Sequence, residues 1–172
     1  MTPAPSAPEL SRPIDLRQVV DGTVEIVATS EERAALAKRF GIVAIHKLEA
    51  RVMLAAGDDA VEARGRLIAD IVQSCAISGD DLPAKIDEAV RLRFVPEKTI
   101  EAEEIDLEAD QLDEIEYTGT SFDLGEAIAQ TLALAIDPYA VGPNAEQARR
   151  EAGISDEASS GPFAALAALK KG

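Results

Sequence analysis

Between residues 43 and 96 the chain alternates apolar and polar positions with a period of two. Ala44, Leu48, Val52 and Leu54 share one parity, and Lys47, Glu49 and Arg51 the other. Successive side chains of a strand point to opposite faces, so this pattern sends one set to a core and the other to solvent. Gly57-Asp58-Asp59 then signals a turn. The next run places Val61, Ala63, Leu67, Ala69 and Ile71 inward, with Glu62, Arg64, Arg66 and Asp70 outward. After a second turn at Ser78-Gly79-Asp80-Asp81, Ile86, Val90, Leu92 and Phe94 point inward while Lys85, Asp87, Arg91 and Arg93 point outward. Three strands joined by short turns predict an antiparallel meander.

On either side of this block the period changes. Residues 22–29 read as a strand with Val24 and Ile26 on one face, leading into Thr29-Ser30-Glu31-Glu32, the sequence of a reciprocal capping box. Lys38, Arg39 and Gly41 suit a helix end, so a helix is expected over about residues 30–40. A second capping pair, Asp123 and Glu126, precedes Leu124, Ala127, Ile128, Thr131, Leu132 and Ala135 at helical spacing. Between them, residues 97–116 hold ten acids against Lys98 alone, a density that predicts an extended, solvated spacer. Residues 142–161 read as a small-residue, polar linker. Pro162 then opens a short Ala-rich helix in which Phe163, Leu166 and Leu169 recur every three residues.

The expected fold is therefore α+β: an antiparallel β-meander or partly open barrel with two packed helices, an acidic spacer and flexible termini. Its parts are an N-terminal tail over residues 1–13, a single domain over 14–141 containing the spacer 97–116, and a linker with a short helix over 142–172. The 172 residues, 47% apolar, suffice for one such core. Net charge is −15, but it is uneven. Residues 1–96 carry 12 basic and 15 acidic side chains, whereas residues 97–172 carry 5 and 17. The folded part is nearly neutral, and the spacer, not the fold, is what repels polyanions. With no Trp, two Tyr and four Phe, recognition of single strands by base stacking is not expected. The chain shows no signal-peptide pattern and no apolar run of membrane-spanning length, and one cysteine forbids an internal disulfide; a cytoplasmic protein is expected.

Candidate chemistry is sparse. Cys75 reads as a small core residue at a strand end. His46, the only histidine, shares the parity of Leu48 and reads as an edge or core residue with no partner for a metal or catalytic site. Paired acids such as Glu103-Glu104 and Asp113-Glu114 lie in the solvated spacer, where no cleft raises a carboxyl pKa for acid catalysis. The chain reads as a binding protein, not an enzyme, with no catalytic residue, metal, cofactor or small-molecule substrate expected. The outward parity offers a binding surface. Lys47, Arg51, Arg64, Arg66, Lys85, Arg91 and Arg93 are opposed there by Glu49, Glu62, Asp70 and Asp87, a surplus of three positive charges. Such a face can contact phosphates by displacing counterions, or it can be an ordinary mixed-charge solvated face. Phe163, Leu166 and Leu169 form a candidate docking stripe for a partner groove.

Three stretches also carry a family resemblance. Phe122-Asp123-Leu124-Gly125-Glu126-Ala127-Ile128, running on to Ile136-Asp137-Pro138 after an acidic spacer, and the closing Gly161-Pro162-Phe163-Ala164-Ala165-Leu166-Ala167-Ala168-Leu169-Lys170, resemble the YceD family of large ribosomal RNA accumulation proteins. Gln73 to Ser78 falls where many members have a cysteine pair; here Ser78 stands at the second position, and a lone thiolate cannot build a four-ligand zinc site. The resemblance implies a part in large-subunit ribosomal RNA maturation or stability. Its partners would be that RNA, or ribosomal or assembly proteins, including the alternative of an adaptor or chaperone for a basic ribosomal protein without direct RNA contact. It implies no catalytic residues.

Overall fold

The computed structural model describes residues 8–19, 21–97 and 113–153. Two compact units emerge: the chain up to Val72 together with Pro83–Ile136, and Gln73–Leu82 together with the chain from Asp137.

The first unit is built on a five-stranded sheet with the order β2-β3-β4-β5-β6, open at both ends. Its strands are β2 (Gly22–Val27), β3 (Ala44–Ala56), β4 (Val61–Ser74), β5 (Asp81–Pro96) and β6 (Asp113–Tyr117). The expected α+β class with a mostly antiparallel sheet is the observed one. The three long strands are the three alternating runs. The inward row of Leu48, Val52, Leu54, Val61, Ala63, Leu67, Ala69, Ile71, Val90, Leu92 and Phe94 is buried. A separate two-stranded ribbon pairs β1 (Pro13–Asp15) with β7 (Ser121–Asp123), antiparallel.

Helix α1 (Ser30–Phe40) begins as the sequence predicts. The Thr29 side chain accepts from the Glu32 amide and the Glu32 carboxylate accepts from the Thr29 amide, while Gly41 ends the helix in the left-handed region at φ 66°. Helix α2 (Leu124–Ala135) is capped by Asp123, which accepts from the Glu126 amide. The reciprocal half is missing: the Glu126 carboxylate instead takes Arg39, at 2.9 and 2.7 Å. Leu36 of α1 and Leu124, Ile128 and Leu132 of α2 join the sheet's inward row in one core, where Phe94 stacks on Phe122 with ring centres 4.0 Å apart.

The structure departs from the expectations in four places. Asp113–Tyr117, whose first four residues belong to the acid-rich stretch, form β6, parallel to β5 with Arg93 opposite Glu114 and Phe94 opposite Ile115. Ile115 and Tyr117 pack against the core, an alternation that the density of acids conceals. Leu10, in the Pro- and Ala-rich start of the chain, is fully buried. It anchors a strap: the Arg12 amide donates to Asp123 Oδ1 at 2.7 Å, the Leu124 amide to the Arg12 carbonyl at 3.1 Å, and the Arg12 guanidinium grips both Glu32 oxygens at 2.8 and 3.1 Å. Arg39 holds Glu9 as well, at 2.9 Å. His46 is exposed rather than on the core side. The register passes from Ile45 opposite Ile71 to Lys47 opposite Asp70, so His46 is the extra residue of a β-bulge, parity reverses there, and Ile45 rather than the expected Ala44 is buried. Finally, Ala145–Glu151, within the stretch read as a linker, form a third helix, α3. Its only buried residue is Ala145, too little apolar surface to print a helical period.

In the second unit, the turn after β4 lies along residues 140–142: the Ala76 amide donates to the Ala140 carbonyl at 2.9 Å, and Gln73 Nε2 to the Asp137 carbonyl at 2.7 Å. Residues 162–171, with the expected terminal helix, lie outside the described residues.

Candidate nucleic-acid interface

The outward side of the sheet takes its charge from strand alternation and its order from register. Arg51 of β3 is paired opposite Arg66 of β4 on one side and Glu25 of β2 on the other; Met53 faces Arg64, and Lys47 faces Asp70. On β5, Lys85, Asp87 and Arg91 are exposed and Arg93 is half-buried. The seven expected cations therefore all stand on one parity of three neighbouring strands. Phe163, Leu166 and Leu169 lie outside the described residues.

Most of these cations hold a carboxylate. Lys47 reaches Glu49 at 3.0 Å, Arg51 reaches Glu25 at 3.3 Å, Arg64 reaches Glu62 at 3.2 Å and Arg93 reaches Glu114 at 2.9 Å. Arg66 clasps Asp87 with two nitrogens, one of them 2.8 Å from Oδ2. That fork holds the Asp87 carboxyl below its ordinary range and raises Arg66 above its own. The pairs are open to water: the Arg51 and Arg66 side chains are 75% and 68% exposed. Ion pairs this open to water contribute little to stability. A phosphate oxygen offers a guanidinium the same planar, charge-assisted contact, so exchanging carboxylate for phosphate costs little.

Three acids on this face lie outside the three alternating runs. Glu25 belongs to β2, and alternates with Val24 and Ile26, so its outward parity is readable from the sequence. Glu114 and Glu116 belong to β6, hidden in the acid-rich run, and alternate with the inward Ile115 and Tyr117. With all three included the face carries seven cations and seven carboxylates, and the surplus of three disappears. The face is apolar in part: Val27 and Met53 are each 61% exposed, and Ile68 is 40% exposed. Between Glu25, Val27, Glu49, Arg51, Arg66 and Ile68 lies a shallow depression of about 360 Å³.

Elsewhere, Cys75 is buried as expected, and its environment is more polar than a core. The amides of Ser78 and Gly142 each donate to Sγ at 3.3 Å. Hydrogen bonds from the Ser78 side chain, then from the backbone of Ser78 and Gly142, pull the thiol down to about 6 by favouring the thiolate. Among the described residues no group of three or more His, Cys, Asp or Glu is placed to hold a metal ion, and no helix is long and apolar enough to cross a membrane.

No curated protein and no solved structure matches this chain. The family model described as large ribosomal RNA subunit accumulation protein YceD matches residues 63–170, more than half of the chain, taking in β4, β5, β6, β7, α2 and α3. The match contains Arg64, Arg66, Lys85, Arg91 and Arg93 of the outward face but leaves out Lys47 and Arg51. By this match the chain belongs to the YceD family of large ribosomal RNA subunit accumulation proteins.

Proposed function

We propose that this protein is a non-enzymatic cytoplasmic factor that supports accumulation of large-subunit ribosomal RNA by laying the outward face of its sheet against that RNA. The observation that supports the reading is the row of arginines, Arg64 and Arg66 on β4 and Arg91 and Arg93 on β5, within the family match. Each guanidinium is exposed or half-buried, so phosphate can reach it without unfolding anything. Lys47, Arg51 and Lys85 extend the contact along the same face. Phe163, Leu166 and Leu169 serve a second contact, with an assembly protein. No cofactor, metal, membrane or small-molecule substrate is part of this reading.

Charge reversal tests it. Removing one phosphate-binding cation lowers the slope of log affinity against log salt by about 0.7–0.9. Converting Arg64, Arg66, Arg91 and Arg93 to Glu is expected to weaken binding to a ribosomal RNA fragment and to flatten its salt dependence. An unchanged slope refutes RNA contact by this face. Crosslinking in cells, with sequencing of both RNA and protein, separates the second reading, an adaptor or chaperone for a basic ribosomal protein. That reading is favoured by the near-neutral balance of the face beside a net charge of −15, and recovery of a basic protein without RNA would establish it.

A further inference from the structure

The two edges of the five-stranded sheet differ in how they are guarded. β6 is five residues long and carries Asp113, Glu114 and Glu116, charges that deter a further strand. β2, Gly-Thr-Val-Glu-Ile-Val, carries a single charge, contains no Lys or Pro, and stays in unbroken register with β3 from Gly22 opposite Leu54 to Val27 opposite Glu49.

Its free backbone groups can be assigned. Just past the strand, the Ala28 amide donates to the Leu48 carbonyl at 3.0 Å. Hydrogen-bonded and non-hydrogen-bonded pairs alternate in an antiparallel ladder, so Ile26, Val24 and Gly22 also turn their backbone toward β3. Thr23, Glu25 and Val27 turn theirs away. Among the described residues one bond reaches that side, from Arg12 Nη2 to the Val27 carbonyl at a long 3.4 Å. Thr23 and Glu25 therefore offer two complete donor–acceptor pairs, the footing that an added strand uses.

We propose that the free edge of β2 receives an extended segment of a basic protein, which joins the sheet as a sixth strand with a lysine or arginine beside Glu25 and an aliphatic residue beside Val27. The side chains set the chemistry. On the outward face an added strand neighbours Thr23, Glu25 and Val27, all exposed. Val27 is 61% exposed and opens on the depression it shares with Ile68. Glu25 is the strand's one charge. A second copy of this chain fits less well: two chains of net charge −15 repel each other, and antiparallel self-pairing centred on Glu25 sets that carboxylate against its own copy. The edge itself presents backbone and one acid, whose pair with Arg51 at 3.3 Å is open to water; of the cations in the RNA reading only Arg51 and Arg66 border this site.

Labelled eight-residue peptides, one alternating lysine with valine and one alternating glutamate with valine, test the site by fluorescence anisotropy. Hydrogen exchange of the Thr23 and Glu25 amides reports the position. The lysine peptide is expected to bind and to slow both amides. Thr23→Pro deletes an edge-facing amide without removing a bond to β3, and should weaken the lysine peptide by roughly tenfold or more, the equivalent of one or two hydrogen bonds. Glu25→Lys keeps the backbone intact and should shift preference toward the glutamate peptide. Binding unchanged in both variants would place the peptide on other acidic residues and overturn the proposal. Protection that grows with protein concentration in the absence of peptide would overturn it in favour of a second copy. Reversal of Arg64, Arg91 and Arg93, which border neither the β2 edge nor the depression, leaves peptide binding in place, so the two readings fail separately.

Discussion

Gly125 is the second residue of α2, where alanine is ordinarily a better helix former by up to about 1 kcal/mol. Local propensity therefore predicts that Gly125→Ala stabilises the protein. The strap predicts the reverse. A Cβ at this position would sit 2.7 Å from the Leu10 carbonyl oxygen, 2.8 Å from the Arg12 nitrogen and 3.0 Å from the Leu10 carbonyl carbon. All three are backbone atoms, so no rotamer change relieves the contact. The strap has little room to retreat either, because Leu10 is fully buried and Arg12 is tied through its amide, carbonyl and guanidinium to Asp123, Leu124 and Glu32. Overpacking of this kind costs about 1–3 kcal/mol, enough to cancel or exceed the helical gain. With a urea m-value of about 1–3 kcal/mol/M for a domain of this size, Gly125→Ala should lower the unfolding midpoint by several tenths of a molar to about 2 M. Leu10→Ala, which removes the anchor, should cost about 2–5 kcal/mol. The double variant should cost less than the two singles together, since a loosened strap no longer resists the new methyl. A midpoint raised by Gly125→Ala would refute the strap as a fixed part of the fold.

Titrating groups supply two more tests. The carboxyls of Glu32 and Glu126 are held below their ordinary range, chiefly by hydrogen bonds from Arg12 and Arg39. Groups depressed in this way contribute stability above the unfolded carboxyl pKa of about 4.3, and lose it as pH falls through the lower folded value. Arg12→Ala should therefore destabilise clearly at pH 7 and progressively less below pH 4 in denaturant titrations; an equal penalty at pH 7 and pH 3 would deny the ion pair its role. Cys75, pulled down to about 6, should be alkylated by iodoacetamide with a rate rising through pH 6 rather than through the usual thiol range near 8.5. Burial slows the reaction without moving that midpoint, and a midpoint near 8.5 would show that the amides of Ser78 and Gly142 do not hold the sulfur.

What the sequence discloses follows from how local each signal is. A capping box involves four consecutive residues, and Thr29 with Glu32 marks the start of α1. Period-two alternation is equally local, so the inward rows of β3, β4 and β5 are legible residue by residue, and with them the parity of all seven outward cations. His46 defies its apparent parity because a bulge is a relation between two strands: only the register with Asp70 and Ile71 shows that one residue of β3 is supernumerary. β6 is hidden for a similar reason. Ile115 and Tyr117 mark an inward row, but its partner is β5, and the parallel pairing is not a hairpin that spacing could disclose. The Glu114 and Glu116 carboxylates, which together with Glu25 cancel the positive surplus of the face, depend on that pairing. The strap is the most distant relation of all, since Arg12 and Asp123 are 111 residues apart; no pattern within residues 8–12 distinguishes a buried leucine from one in a tail.

The parallel pairing of β5 with β6 changes the standing of the acid-rich stretch between them. Pro96 is paired with Tyr117 and Leu92 with Asp113, so both ends of that stretch are moored to one ladder, about 13 Å apart along it at about 3.3 Å per residue. It is thus an insertion closed at both ends, and its contour length far exceeds the gap it must bridge. Closure entropy rises only logarithmically, by about 0.6 kcal/mol for each doubling of a flexible loop. Lengthening the stretch between the two moorings should therefore cost the sheet little, whereas moving either mooring would cost it strand pairs.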